Sequence, residues 1–113
     1  MIKIWHNPRC SKSRESLKLL QDNTSDSIEI REYLKDTPSF DEIRNVIQQL
    51  GVAPFQLIRK TETIYKENFK GKELTDDEWI QAMTENPKLI ERPIVIKGNK
   101  AVIGRPPTLV LDI

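Results

Sequence analysis

The chain contains a single cysteine, Cys10, and its sequence neighbours are of the kinds that lower the pKa of a thiol. Good helix formers begin directly after it, so we expect Cys10 at a helix start, where unpaired backbone N–H groups carry partial positive charge. A thiolate is stabilised there, and its pKa can fall from about 8.5 to roughly 3.5–7.5. Side chains that could add positive potential lie nearby, namely His6, Arg9, Lys12 and Arg14. We interpret Cys10 as a nucleophile.

The four residues that begin at Cys10 form a Cys-x-x-Ser motif, in which Ser13 stands where redox pairs have a second cysteine. A thiol that becomes oxidised or bonded to a substrate must be resolved by another thiol. Since the chain has no other cysteine, we expect glutathione or a protein thiol to resolve it. The alternative is a buried structural cysteine, but such residues normally have apolar neighbours, whereas Cys10 lies between Arg9 and Ser11.

Composition argues against several other classes of protein. The 18 basic and 17 acidic residues leave a net charge of +1, which gives no general case for a nucleic acid or an anionic membrane as partner. No apolar run approaches the roughly 18 residues of a membrane span, and a cytoplasmic location is the default expectation. One histidine and one cysteine cannot fill a zinc site, and no glycine-rich phosphate loop is present. We expect no bound metal, nucleotide or flavin.

Apolar periodicity predicts the elements that must position Cys10. Residues 1–5 and 28–31 have the pattern of short strands, and residues 11–22 that of an amphipathic helix between them. Capping boxes formed by Ser39 with Glu42 and by Thr75 with Glu78 predict two later helices. Residues 54–69 indicate short helical turns. Residues 94–96 and 101–103 predict an antiparallel hairpin around Gly98, followed by a short terminal helix.

This order of elements is β-α-β, then helices, then a β-hairpin and a helix. The first part is a parallel crossover and the second an antiparallel pair, which together predict a small mixed sheet flanked by helices, the thioredoxin-like fold of the α/β class. We expect one domain over residues 1–113. The helical stretch of about residues 39–86 is longer than that fold needs and is interpreted as an inserted helical subdomain.

Residues 6–14, His-Asn-Pro-Arg-Cys-Ser-Lys-Ser-Arg, resemble the active-site loop of the glutathione- and glutaredoxin-coupled arsenate reductase family. Three further segments agree with it in order, covering essentially the whole chain: Leu-Ile-Arg-Lys at 57–60, Glu-Arg-Pro-Ile-Val at 91–95, and Gly-Arg-Pro-Pro at 104–107 with Val-Leu-Asp-Ile at 110–113. The combination is far more specific than the loop alone. Longer members of that family carry an additional C-terminal tail.

The resemblance implies a role for each matching residue. Cys10 would be the nucleophile that attacks arsenic, His6 a histidine near the thiolate, and Ser13 a hydroxyl that hydrogen-bonds the sulfur. Pro93 would follow a cis peptide bond. Three arginines would hold the oxyanion and the thio-arsenical intermediates, namely Arg59, Arg92 and Arg105. Arginine suits this task because its planar, permanently charged fork binds two oxygens at once.

Several of these residues also have an alternative interpretation without a role in catalysis or binding. Arg59 could be one charge on an exposed helical face, and His6 a loop imidazole that only packs or caps. Taken singly, the charged neighbours Arg9, Lys12 and Arg14 are typical of solvated surface.

The implied reaction begins when the Cys10 thiolate displaces a hydroxyl from arsenate. Glutathione then attacks the arsenic, As(V) is reduced to As(III), glutaredoxin takes up the glutathione, and water releases arsenite. Glutathione is thus a co-substrate, and no bound cofactor is implied. Two alternatives belong to other classes: a thiol-redox transcriptional regulator that binds RNA polymerase, and a glutaredoxin-like thiol exchanger. Ser13 and the Arg105 segment argue against the first, and the oxyanion arginines argue against the second.

Overall fold

Four short strands form one mixed sheet in the order β2-β1-β3-β4. They are β1 (Ile2–His6), β2 (Ile28–Glu32), β3 (Ile94–Lys97) and β4 (Lys100–Ile103). β1 is parallel to β2 and antiparallel to β3, and β3 is antiparallel to β4. The computed structural model describes all residues from Met1 to Ile113, and the predicted mixed sheet flanked by helices is confirmed.

Four α-helices accompany the sheet: α1 (Ser11–Asn23), α2 (Phe40–Leu50), α3 (Thr63–Asn68) and α4 (Asp76–Glu85). Short 3-10 helices occur at Pro54–Leu57, Pro87–Leu89 and Pro107–Asp112. None of the helices combines the length and the apolar character needed to cross a membrane.

The chain divides into two compact units. The first, Met1–Asp36 with Arg92–Ile113, contains the whole sheet, α1 and the terminal 3-10 helix. The second, Thr37–Glu91, contains the remaining helices and includes the stretch of residues 39–86 predicted as a helical insertion.

The core of the first unit fixes where β1 ends and α1 begins. Ile2 and Ile4 of β1, Leu20 of α1, Val95 of β3 and Val110 of the terminal 3-10 helix form one buried cluster. Full burial of each such side chain contributes about 1.5–3 kcal/mol to the stability of the fold. The cluster therefore packs β1, before residues 7–10, against α1, which follows them. The loop that carries Cys10 therefore lies between two anchored elements.

Local capping defines the long helices of the second unit. At α2 the Ser39 hydroxyl accepts from the Glu42 N–H at 3.2 Å, and the Glu42 carboxylate accepts from the Ser39 N–H at 3.0 Å. Thr75 and Glu78 make the same pair of bonds at α4. Both predicted capping boxes are thus confirmed. The sequence pattern could predict them because their bonds connect residues only three apart.

Candidate active site

Asn7 shapes the loop between β1 and α1. Its side-chain oxygen accepts from the Arg9 N–H at 3.0 Å, an Asx turn, and its carbonyl accepts from the Cys10 N–H at 3.0 Å. Its own N–H donates to the Ser13 hydroxyl at 3.0 Å. The sequence analysis did not single out this residue. The Asn-Pro pair at positions 7 and 8, a turn signal, could have indicated it.

Cys10 is the N-cap residue of α1, and its carbonyl accepts the first helical hydrogen bond from the Arg14 N–H at 3.0 Å. The pKa of the Cys10 thiol is lowered below its ordinary value. Partial burial of the thiol raises this pKa, but several neighbouring groups lower it and their combined effect is larger. They are the backbone N–H of Ser13, the hydrogen bond and positive charge of the Arg92 side chain, and the backbone N–H of Lys12. The expected thiolate stabilisation at a helix start therefore has a structural basis.

The antiparallel pairing of β1 with β3 explains how Arg92 reaches this loop. Trp5 near the end of β1 pairs with Ile94 at the start of β3. Residues just after β1 and residues just before β3 consequently emerge at the same edge of the sheet. Cys10 and Arg92, distant in the sequence, meet there.

The source of positive potential differs from the sequence-based prediction. The side chains of Arg9, Lys12 and Arg14 are exposed to solvent, and the Arg14 guanidinium donates to the Pro8 carbonyl at 3.0 Å. Solvent screens these exposed charges, and none of the three side chains is among the groups that lower the pKa of Cys10. The cation that lowers the pKa of Cys10 is Arg92.

His6 is buried at the end of β1, and its Nδ1 lies 2.7 Å from the Ser13 hydroxyl oxygen. Burial lowers the pKa of His6, Glu32 opposes this and Arg14 adds to it, so the ring is mostly neutral at pH 7. The Ser13 oxygen accepts from the Asn7 N–H, and the tautomer of His6 decides whether the ring donates to the hydroxyl or accepts from it. The lowered pKa argues against His6 as a source of positive charge at neutral pH.

Ser13 contacts the sulfur in a different way from the one that the resemblance implies. Its hydroxyl is engaged by His6 and by the Asn7 N–H, and its side chain is fully buried. The part of Ser13 that lowers the pKa of Cys10 is its backbone N–H. The hydroxyl therefore connects the start of α1 to His6 at the end of β1, and this contact helps to orient the Ser13 backbone N–H toward the sulfur.

The Arg105 side chain forms a hydrogen bond with the backbone of Arg92. An Arg105 Nη1–H donates to the Arg92 carbonyl at 3.1 Å, and the Gly104 N–H donates to the Pro93 carbonyl at 2.9 Å. The Arg92–Pro93 peptide bond is cis, as the resemblance implies, and the Arg105–Pro106 bond is also cis, which the sequence analysis did not predict. Two of the three predicted oxyanion arginines thus lie together at the Cys10 edge of the sheet.

Close packing at Gly104 supports the Arg92 segment. A Cβ atom there would lie 2.5 Å from Ser16 Oγ, 2.8 Å from Pro93 Cγ and 3.0 Å from Val110 Cγ1. We expect Gly104→Ala to lower the free energy of unfolding by about 1–3 kcal/mol, measured by urea denaturation, because these atoms must move apart.

Ser16→Ala provides the matched control, since the buried Ser16 hydroxyl makes no hydrogen bond and its removal opens the tightest contact. Alone it should change the free energy of unfolding little, and combined with Gly104→Ala it should restore part of the loss. An unchanged midpoint for Gly104→Ala would contradict this account of the packing.

Arg59 belongs to the second unit and is held there by acidic side chains. Its Nη1 donates to Glu91 Oε1 at 2.8 Å, and its Nε lies 3.4 Å from Glu62 Oε1. Its side chain is only 14 % exposed, and it follows a 3-10 helix rather than lying within a helix. The alternative of an exposed charge on a helical face was therefore wrong, and the predicted oxyanion role of Arg59 stays a prediction.

Comparison with known proteins identifies the family. The sequence model of the ArsC family matches residues 5–113, nearly the whole chain. The chain belongs to the ArsC family. The fold agrees with thioredoxin-like ArsC structures: the arsenate reductase from Vibrio cholerae superposes with a TM-score of 0.93 at 45% identity, over 99% of this chain and 96% of that one.

Curated relatives of this ArsC-family chain include proteins with and without a named activity. The arsenate reductase of Haemophilus influenzae is 44% identical over 97% of this chain and 96% of its own length. The uncharacterized protein YfgD of Escherichia coli is 46% identical over 99% of this chain and 95% of its own length. The chain therefore matches these two relatives over nearly their whole length.

Proposed function

We propose that this ArsC-family protein reduces arsenate to arsenite through the Cys10 thiolate, with glutathione and glutaredoxin as electron donors. The observation that carries the proposal is the contact between Arg92 and Cys10, because one arginine there both lowers the pKa of the thiol and offers positive charge to an incoming oxyanion. The site belongs to a chain with one cysteine, so half of the redox chemistry must come from other thiols.

The first step is nucleophilic substitution at arsenic. The Cys10 thiolate forms an S–As bond, one arsenate oxygen leaves as water after protonation, and arsenic remains As(V). Thiolate and arsenate are both negative, so their approach requires local positive charge. Arg92 supplies it beside the sulfur, and Arg105, which is bonded to the Arg92 carbonyl, is proposed as a second oxyanion ligand.

The second step transfers two electrons to arsenic. Glutathione displaces another arsenic-bound oxygen as water and forms a second S–As bond. A glutaredoxin thiolate then attacks the glutathione sulfur, the electron pair of that S–As bond stays on arsenic, and As(V) becomes As(III). The two donor thiols leave as a mixed disulfide, water hydrolyses the remaining S–As bond, and arsenite and the Cys10 thiol are released.

The proposed roles of the other residues follow their contacts. His6 and Ser13 act as positioning residues, since their mutual bond and the bond from Asn7 fix the loop whose N–H groups face the sulfur. Arg59 is proposed as an oxyanion ligand on the resemblance alone. A cytoplasmic location is proposed because a lone, activated thiol requires a reducing compartment.

Arsenate-dependent NADPH consumption tests this proposal. The purified chain is assayed with glutathione, glutaredoxin and glutathione reductase, and in parallel with thioredoxin and thioredoxin reductase. Turnover that requires both arsenate and the glutathione system is expected. Turnover with thioredoxin alone would overturn the proposed donor, and no arsenate-dependent turnover with either system would overturn the proposed reaction.

A further inference from the structure

Asn7, in the loop that carries Cys10, has one end of its side-chain amide without a partner. The residue is only 9 % exposed. Its Oδ1 accepts from the Arg9 N–H at 3.0 Å, and this bond assigns the other end of the amide to Nδ2. Nδ2 makes no hydrogen bond with the protein, and it is not one of the fully buried atoms without a partner. Its two N–H groups therefore reach the surface of the loop and can donate to a ligand.

Two hydrogen bonds hold this amide on the same turn as the sulfur. The Cys10 N–H donates to the Asn7 carbonyl at 3.0 Å, so residues 7 and 10 are the two ends of a β-turn. The Cα atoms at the ends of such a turn lie within about 7 Å of each other. The bond from the Arg9 N–H to Oδ1 folds the Asn7 side chain over this turn and fixes the plane of the amide.

A fixed amide donor suits the chemistry proposed at Cys10. Oxyanions in active sites are held by donors that are already oriented, and asparagine side chains are among them. Arg92 supplies positive charge beside the sulfur, but the oxygens of one arsenate can accept more hydrogen bonds than one arginine offers. An unpaired donor on a largely buried residue also gains a partner when the oxyanion binds. We propose that Asn7 Nδ2 is a further oxyanion ligand, which donates to an oxygen of arsenate and of the arsenical bonded to Cys10.

This inference rests on the proposed function, because it takes arsenate as the oxyanion. It gives the two ends of one side-chain amide different tasks: Oδ1 maintains the turn, and Nδ2 binds the substrate. The tasks can be separated by variants that keep an acceptor for the Arg9 N–H and remove the amide donor.

Asn7→Ser is the decisive variant, since a serine hydroxyl can accept from the Arg9 N–H in a similar turn but carries no amide N–H groups. Asn7→Ala removes both the acceptor and the donor. Asn45→Ser removes an amide from an exposed position of α2 and is the matched control. For each chain, kcat/KM for arsenate is measured in the coupled NADPH assay, and the pKa of Cys10 is measured from the pH dependence of its alkylation.

We expect Asn7→Ser to lower kcat/KM for arsenate about tenfold to a hundredfold and to leave the pKa of Cys10 near that of the wild type, because only the oxyanion loses a donor. Asn7→Ala should also raise the pKa, because the turn that precedes α1 loses a bond. Asn45→Ser should behave as the wild type. A wild-type value of kcat/KM in Asn7→Ser would overturn the inference.

The amide of the unsubstituted Asn7 provides a second measurement, which decides the case in which Asn7→Ser alters the turn. Arsenate is titrated into the Cys10→Ser chain, and the side-chain amide resonances are followed by NMR. The Asn7 Nδ2 signals should shift and saturate, whereas those of Asn23 and Asn86, whose amides donate to helix carbonyls, should stay in place. Asn7 signals that do not move, or equal shifts in all three residues, would overturn the inference.

The inference and the proposed function fail separately. If the wild type turns over arsenate but the Asn7 amide signals do not respond to it, the inference is wrong and the proposed function stands. If those signals shift and saturate but the wild type has no turnover with either donor system, Asn7 is an oxyanion ligand and the proposed reaction is wrong. If neither effect is observed, both are wrong.

Discussion

Replacing Cys10 by serine is expected to abolish arsenate-dependent turnover, with a loss of at least about a thousandfold in kcat. A serine hydroxyl stays protonated at neutral pH, so the N–H groups of Ser13 and Lys12 and the charge of Arg92 would have no anion to stabilise. The S–As bond could not form, and the donor thiols would have no arsenic intermediate to reduce. The coupled NADPH assay measures the loss directly.

Thermal unfolding of Cys10→Ser supplies the control for this prediction. Cys10 makes no side-chain capping bond to α1 and is half-buried, so the substitution should leave the fold and the melting temperature nearly unchanged. Turnover above about a tenth of the wild-type rate in the folded variant would show that Cys10 is not the nucleophile.

Arg92→Ala should have the next largest effect, a loss of about a hundredfold in kcat/KM for arsenate. The substitution removes the hydrogen bond and the charge that lower the pKa of Cys10, and it also removes a proposed ligand of the oxyanion. The pKa of the thiol should rise, so that the lost activity recovers in part as the pH is raised. Arg92→Lys should be intermediate, because it keeps the charge but not the planar fork.

Arg9→Ala is the matched control for charge. Arg9 precedes Cys10 in the sequence but its side chain is exposed, and only its backbone N–H is used to shape the loop. It should leave both kcat/KM and the pH profile nearly unchanged. Equal losses in Arg9→Ala and Arg92→Ala would mean that general positive charge, and not the contact of Arg92 with the sulfur, activates Cys10.

Features that depend on residues close in the sequence were predicted well. Examples are the capping boxes at Ser39 and Thr75 and the start of α1 directly after Cys10. Their hydrogen bonds connect residues only a few positions apart, so the local sequence pattern is sufficient to predict them. The parallel and antiparallel parts of the sheet could be predicted because the order of the strands and the lengths of their connections restrict the possible topologies.

Features that depend on tertiary contacts were predicted poorly or only through the resemblance. Charged residues near Cys10 in the sequence face solvent, whereas the cation that acts on it, Arg92, arrives through the pairing of β1 with β3. Burial lowers the pKa of His6, and the buried hydroxyl of Ser13 lies against the His6 ring instead of bonding the sulfur. The contact of Glu91 with Arg59 likewise depends on the pairing of Ile58 with Ile90.

The central claim is that the folded site holds Cys10 as a thiolate at lower pH than an ordinary cysteine. The direct test is the rate of Cys10 alkylation by iodoacetamide from pH 5 to pH 10, followed by mass spectrometry, for the native chain and for the chain unfolded in urea. Because the pKa is lowered in the folded state, the native midpoint should lie below the unfolded one, which is expected at about 8.5, and Arg92→Ala should move it upward. Coincident midpoints for the native and unfolded chains would contradict the account.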